Sequence, residues 1–286
     1  MTWLLYLSNV IFARCESALG KYSVKKCGDS ISFNRSKTIS AALLSLLFAL
    51  IAGFDFHGET LLFALLYGGS LALSTHAGVK ALSLGSMAIA SMLASFSLVI
   101  PCLWGLIFLD ERISLVGGIG LVLLALSILL LNFKKSSGSI SPKCWFYSIL
   151  TMLSNGIGSV IQKQHQTSYP GEYQTEFMLF SMAFASVIFI AIGFLKTAKS
   201  EKTEKSNAAS LALILGLIAG VCNCFANFII LFLATLENAS VLFPILSAAN
   251  AVGACLVGRI VFKERLSALQ FISILLGITS VVLLKI

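Results

Sequence analysis

The chain has 286 residues, 58% of them hydrophobic and 11% charged, with a mean hydropathy of +0.96. A soluble domain carries about 25% charged side chains to build a polar shell, and 20 Lys and Arg with 12 Asp and Glu cannot supply one here. A soluble globular enzyme and a disordered chain are both excluded. The apolar runs are long and unbroken, without the alternation of a transmembrane β-barrel. The expected fold class is therefore an all-α polytopic membrane protein, whose helices satisfy their own backbone hydrogen bonds in lipid.

A spanning helix needs about 20 apolar residues. Ten segments qualify: 3–22, 38–54, 60–81, 84–109, 114–133, 144–164, 176–196, 209–235, 238–262 and 267–285. The first follows Met1-Thr2 without a basic stretch or small-residue cleavage site, so no removed signal peptide is expected. Charged residues inside spans are costly and are functional candidates by default. In segment 1, a wheel at about 100° per residue puts Asn9, Ala13, Glu16 and Gly20 on one face and Arg14 and Lys21 on another. Asn9 and Glu16 are expected to face a central cavity, with Glu16 a proton or cation site. The alternative is that Glu16 pairs with a basic neighbour and fixes helix packing. Arg14 either binds an anionic group or snorkels to the headgroups.

In segment 3, His76 and Lys80 lie one turn apart beside Gly69, with Tyr67, Ser74 and Gly78 on the opposite face. His76 either lines the cavity or bonds a neighbouring helix as a neutral imidazole. Pro101 in segment 4 and Pro244 in segment 9 each free a backbone carbonyl. In segment 6, Asn155 and Gln162 are assigned one face, and Gln162-Lys163-Gln164-His165-Gln166 reads as an interfacial loop. Segment 8 aligns Gly216, Gly220, Asn223 and Asn227, glycines for close helix approach and amides for a polar solute or for interhelical bonds. Segment 9 adds Asn250 beside a face of Ser240, Ser247, Ala251 and Gly258. The candidate substrate-binding residues are thus Asn9, Arg14, Glu16, His76, Asn155, Asn223, Asn227 and Asn250. Segments 2, 5, 7 and 10 read as scaffold, and the seven cysteines as apolar fillers.

No metal site, cofactor or catalytic pattern is expected. The three histidines fall in different elements, and no Gly-x-x-x-x-Gly-Lys loop is present. The expected partners are a small-molecule substrate and the lipid bilayer, with no nucleic acid and a homodimer left open. The chain also repeats itself. Glu111-Arg112-Ile113-Ser114 returns as Glu264-Arg265-Leu266-Ser267, and Leu7-Ser8-Asn9 as Leu153-Ser154-Asn155. Five helices plus five, an odd number per half, predicts two inverted five-helix repeats, residues 1–138 and 139–286. Fifteen of the twenty Lys and Arg fall in the loops joining helices 1–2, 3–4, 5–6, 7–8 and 9–10, which the positive-inside rule makes cytoplasmic. Both termini then face outward, with the chain in the plasma membrane.

Ten spans, a Ser-Asn pair in the first helix of each half and the Glu-Arg-x-Ser turns resemble the drug/metabolite transporter (DMT) superfamily in its EamA-type branch. Segment 1, with Tyr6, Ala13, Glu16 and Lys21, is also similar to the first helix of small multidrug resistance exporters. There a buried glutamate couples protons to substrate, but Glu16 lies two positions late and Arg14 intrudes. The Trp-Gly that often precedes Ser-Asn is replaced by Tyr6-Leu7. The resemblance implies a secondary transporter of a small polar metabolite, amino acid-like or anionic or zwitterionic, working by alternating access, with proton coupling open. It also implies cytoplasmic termini, against the loop charges. An energy-independent channel or scramblase, or an integral membrane enzyme, is the alternative.

Overall fold

The computed structural model describes residues 2–27, 30–84, 93–131, 141–197, 206–260 and 268–285. Among these, the principal elements are helices α1 (Thr2–Cys27), α2 (Ser30–Ala52), α3 (Gly58–Leu84), α4 (Val99–Phe108), α5 (Leu115–Leu131), α6 (Pro142–Ser168), α7 (Gln174–Thr197), α8 (Ser206–Leu236), α9 (Ala239–Ile260) and α10 (Ala268–Lys285), with no strand. Five of them, α2, α3, α6, α7 and α8, are long and apolar enough to cross a membrane; α4, α5, α9 and α10 carry shorter apolar stretches.

The polarity is inverted relative to a soluble protein. Leu43, Leu47, Leu50, Ile119, Phe146, Phe194 and Leu275 face outward, while Asn9, Lys37, Gln162, His165, Gln166 and Asn223 are buried. Lipid tails solvate the first group at no cost, whereas the second group must find partners inside the bundle.

Helix pairing crosses the two halves of the chain. α3 packs on α6 and α7, α2 on α7 and α8, α1 on α8 and α9, α4 on α6 and α9, and α5 on α10. Exchanging each helix with the one five places away maps α3–α6 onto α8–α1, α2–α8 onto α7–α3 and α4–α6 onto α9–α1. The tightest seams are made by small residues. A Cβ on Gly216 or Gly220 of α8 would collide with the α2 backbone at Phe33 and Lys37, and one on Gly68 of α3 with the α7 backbone at Ser181. The glycine stripe expected to permit close approach does so against α2.

Three expectations are corrected. First, α1 runs to Cys27 and α2 starts at Ser30, so Lys21, Lys26, Arg35 and Lys37 belong to helices, not to a long basic loop. Long aliphatic stems let such residues sit within a helix while their charges find polar partners. Second, Gln162 to Gln166 form no interfacial loop. They continue α6 and are buried at Gln162, Lys163, His165 and Gln166. Third, segment 4 is interrupted by a turn at Ser97–Leu98 and restarts at Val99. Pro101 falls in the first turn of that new helix, where its missing N–H is not needed. The second Glu-Arg-Leu-Ser turn, residues 264–267, lies outside the described residues.

Candidate functional site

Glu16 has no basic residue three or four positions away on α1, so its charge must be met from another helix. Lys37 of α2 meets it: Nζ lies 2.8 Å from Glu16 Oε1, with side chains 9% and 20% exposed for Lys37 and Glu16. The other carboxylate oxygen accepts from Asn223 Nδ2 of α8 at 3.1 Å. One turn along α8, Asn227 Nδ2 donates to the Asn223 carbonyl at 2.9 Å. Its Oδ1 then accepts from Tyr67 of α3 at 2.7 Å and from Gln162 Nε2 of α6 at 3.3 Å. A continuous polar chain therefore joins five helices, Lys37–Glu16–Asn223–Asn227–Tyr67/Gln162.

At about 1.5 Å per helical residue, its members lie from roughly 9 Å (Gln162) to roughly 22 Å (Lys37) below the ends of their helices at the 2–3, 6–7 and 8–9 connections. The chain thus descends along the bundle instead of forming a flat layer. Glu16 lies inside the bundle and is paired with a basic neighbour.

The remaining candidates are placed differently. Asn9 is buried, donates Nδ2 to the Ala226 carbonyl at 2.8 Å, and leaves Oδ1 without a partner. It joins α1 to α8 one residue away from Asn227. Arg14 turns to the other side of α1, where its stem packs on Gly253 of α9 and its Nε is buried without a hydrogen bond. Asn250 of α9 also has a buried, unpartnered Oδ1. His76 is half-buried and not part of the chain.

Asn155 is exposed and apart from the chain. The α6 face that meets its neighbours runs through Thr151, Ser154, Gly158, Ile161 and His165, and Asn155 lies about 100° off Ser154. Gln162 is buried while Asn155 is not, so the shared face expected for them is not formed.

Lys37 and Tyr67 were not among the candidates. Lys37 was hidden by being counted as a loop residue. A usable signal existed: Glu16 needs a basic partner from another helix, and Lys37 immediately precedes the next apolar run. Tyr67 was assigned to a face of α3 opposite His76, and that face is the one that enters the chain.

Two further polar devices hold the frame. Lys163 donates to the Ala234 and Glu237 carbonyls at 3.0 and 2.7 Å, a cation at the C-terminal end of α8. Glu111 accepts from the Ala239 and Ser240 backbone N–H groups at 2.7 and 2.9 Å, a carboxylate at the start of α9. The Glu-Arg-x-Ser turn thus earns its place in the first half as a helix cap supplied in trans.

At the same end, the α2–α3 and α6–α7 connections are clasped together. His57 stacks on Tyr173 with ring centroids 4.8 Å apart, and Thr60 Oγ1 lies 3.1 Å from His165 Nε2. Tyr169 donates to Glu59. That bond, with smaller contributions from desolvation and nearby charge, pushes the Tyr169 hydroxyl up to about 12, so it stays a donor at neutral pH.

An apolar cavity of about 170 Å³ lies between α4 and α5, lined by residues such as Phe96, Val99, Cys102, Leu121 and Leu124. It shares no residue with the polar chain. Among the described residues no cluster of His, Cys, Asp or Glu could hold a metal ion.

The model of the EamA-like transporter family matches residues 143–286. A solved structure described only as "Crystal structure of protein" has a TM-score of 0.75 and 14% identity, covering 100% of this chain and 98% of its own. At that identity it bears on the fold alone. No curated protein matches the sequence.

Proposed function

Because this chain belongs to the EamA-like transporter family, we propose that it is a secondary transporter that carries a small polar metabolite across the plasma membrane by alternating access. The observation that carries this reading is the polar chain from Lys37 to Gln162, held inside an apolar bundle and fed by both halves of the sequence. A helix bundle that only had to persist in lipid would be served by apolar packing, since each interior polar group costs free energy unless it is bonded.

Helices α1 to α5 (within 1–138) and α6 to α10 (within 139–286) act as the two repeats. Rocking of one against the other opens the interior to each side in turn. The interhelical bonds of the chain are side chain to side chain, so they can exchange for bonds to a solute without unfolding any helix. Within the chain Glu16 acts as the partner of Lys37, and release of that pair is the step through which protonation or a cation couples to transport. The basic ends of the helices on the 1–2 side face the cytoplasm.

The test is uptake of a panel of radiolabelled polar metabolites by proteoliposomes holding the full chain. Saturable uptake with counterflow supports a carrier. Flux proportional to concentration without counterflow identifies a channel, and lipid exchange between leaflets a scramblase.

A further inference from the structure

The interior charges differ in how they are met. Glu16 and Lys37 neutralise each other, Lys163 is held by the carbonyl end of α8, and Glu111 by the amide end of α9. Arg14 has no such partner. Its guanidinium forms no ion pair among the described residues, and its Nε is buried without a hydrogen bond. A guanidinium carries five N–H donors and does not lose its charge in proteins, so an anion brought to it is a direct partner that none of the described residues supplies by hydrogen bond or ion pair.

The surroundings of Arg14 are specific. α1 and α9 run in parallel: Tyr6 packs with Ala239, Leu242 and Phe243 near their starts, and Val10 and Arg14 meet Gly253 further down. A Cβ at Gly253 would press on Val10 and on the Arg14 stem, so glycine there gives the arginine its room. Asn250 stands one turn before Gly253 on the same helix. Its Oδ1 is a second buried atom without a partner, and it is an acceptor.

We propose that the α1–α9 seam holds an anion subsite in which Arg14 binds the carboxylate of a small organic acid. Asn250 accepts from a hydroxyl or amine on the same molecule. The subsite lies on the side of α1 turned away from the Glu16–Lys37 pair, and it rests on the transport reading only in making its ligand the cargo. Arginine suits the task because its planar donor fork matches a carboxylate in two parallel bonds. Leaving such a donor unpaired in a lipid-embedded bundle is costly, and the arriving carboxylate removes that cost.

The experiment measures the melting midpoint of the purified full chain in detergent with small hydroxy- and amino-carboxylates, each paired with its neutral primary amide, at about 10 mM, where a ligand with a Kd near 0.1 mM gives a measurable shift. At least one carboxylate is expected to raise the midpoint by several degrees while its amide does not. Arg14→Gln should weaken that ligand by roughly 10- to 100-fold, as expected for losing a charged hydrogen-bond pair, with Arg14→Lys intermediate. Asn250→Leu should weaken the hydroxyl- or amine-bearing ligand and not its deoxy analogue. Equal stabilisation by acid and amide overturns the subsite. So does carboxylate binding that survives Arg14→Gln, or no stabilising carboxylate in the panel. Counterflow of the stabilising carboxylate that is unchanged in Arg14→Gln removes the subsite and leaves the carrier standing. Carboxylate binding without counterflow removes the carrier and leaves the subsite.

Discussion

At the residue scale, the Glu16–Lys37 pair sets a sharp expectation. Removing one partner of a desolvated ion pair strands the other, while removing both does not. Glu16→Gln and Lys37→Met should each lower stability by about 2–3 kcal/mol, and the double variant should recover most of the loss. Melting of the four proteins as a double-mutant cycle checks this. Additive effects would mean that the 2.8 Å contact carries no coupling. Much of this site was legible from residue types alone. Charged or amide side chains in apolar helices had to be bonded inside, and Asn9, Glu16, Asn223 and Asn227 are. What could not be read was which side chain answers which. Lys37 stands in a polar run that looks like a loop until α2 is seen to begin at Ser30. Asn155 shares a Leu-Ser-Asn tripeptide with Asn9 but not its surroundings, because α6 presents Ser154 and Gly158 inward, and one residue of offset turns a helix by about 100°.

At the element scale, contacts between helices are set by glycines and by charges at helix ends. Gly220→Val should prevent α2 and α8 from approaching, because a Cβ there meets the Lys37 backbone, which cannot move as a flexible side chain would. A loss of several kcal/mol is expected, as for overpacked cores at their worst, read as aggregation or a collapsed yield of folded protein. Gly118→Ala in α5 makes the opposite case. Nothing lies within 4 Å of its Cβ position, and helix propensity favours alanine by about 0.5–1 kcal/mol, so the melting midpoint should rise slightly. Lys163→Met should cost about 1–2 kcal/mol by leaving the C-terminal carbonyls of α8 without their buried cation. Hydrogen exchange at the end of α8 should rise with it. The periodicity and length of the apolar runs located the long helices. Their ends were misplaced where buried polar residues, Gln162 to Gln166 above all, look like a loop in one dimension. They are helical because α3, α7 and α8 supply Thr60, Gln174 and Asn227 as partners.

At the scale of the whole molecule, the frame is a bundle whose outside matches lipid and whose inside carries a hydrogen-bonded line across five helices. Exchange of helices five places apart preserves the pairing of the frame but not the chemistry of the line, since Asn9 and Asn155 have different surroundings. The two halves match in their helix pairing and differ in the polar residues they bring to the line. Pairing across the halves was accessible from sequence only as an expectation of repetition. Which helices touch depends on packing that no local pattern encodes. The clasp of His57, Thr60, His165 and Tyr169 closes the end where the 2–3 and 6–7 connections meet. In the proposed alternating cycle that end must part. A pair of cysteines at positions 57 and 173, crosslinked, is expected to halt counterflow, and reduction to restore it.

The most direct test of the central claim is counterflow of a transported solute through proteoliposomes holding wild-type chain, Asn227→Leu or Tyr67→Phe, with folded yield matched by melting. The account predicts saturable counterflow in the wild type, reduced at least tenfold in Asn227→Leu and less in Tyr67→Phe, which removes one of the two donors to Asn227. Undiminished counterflow in a folded Asn227→Leu protein would contradict it, because the interior chain would then be packing and nothing more.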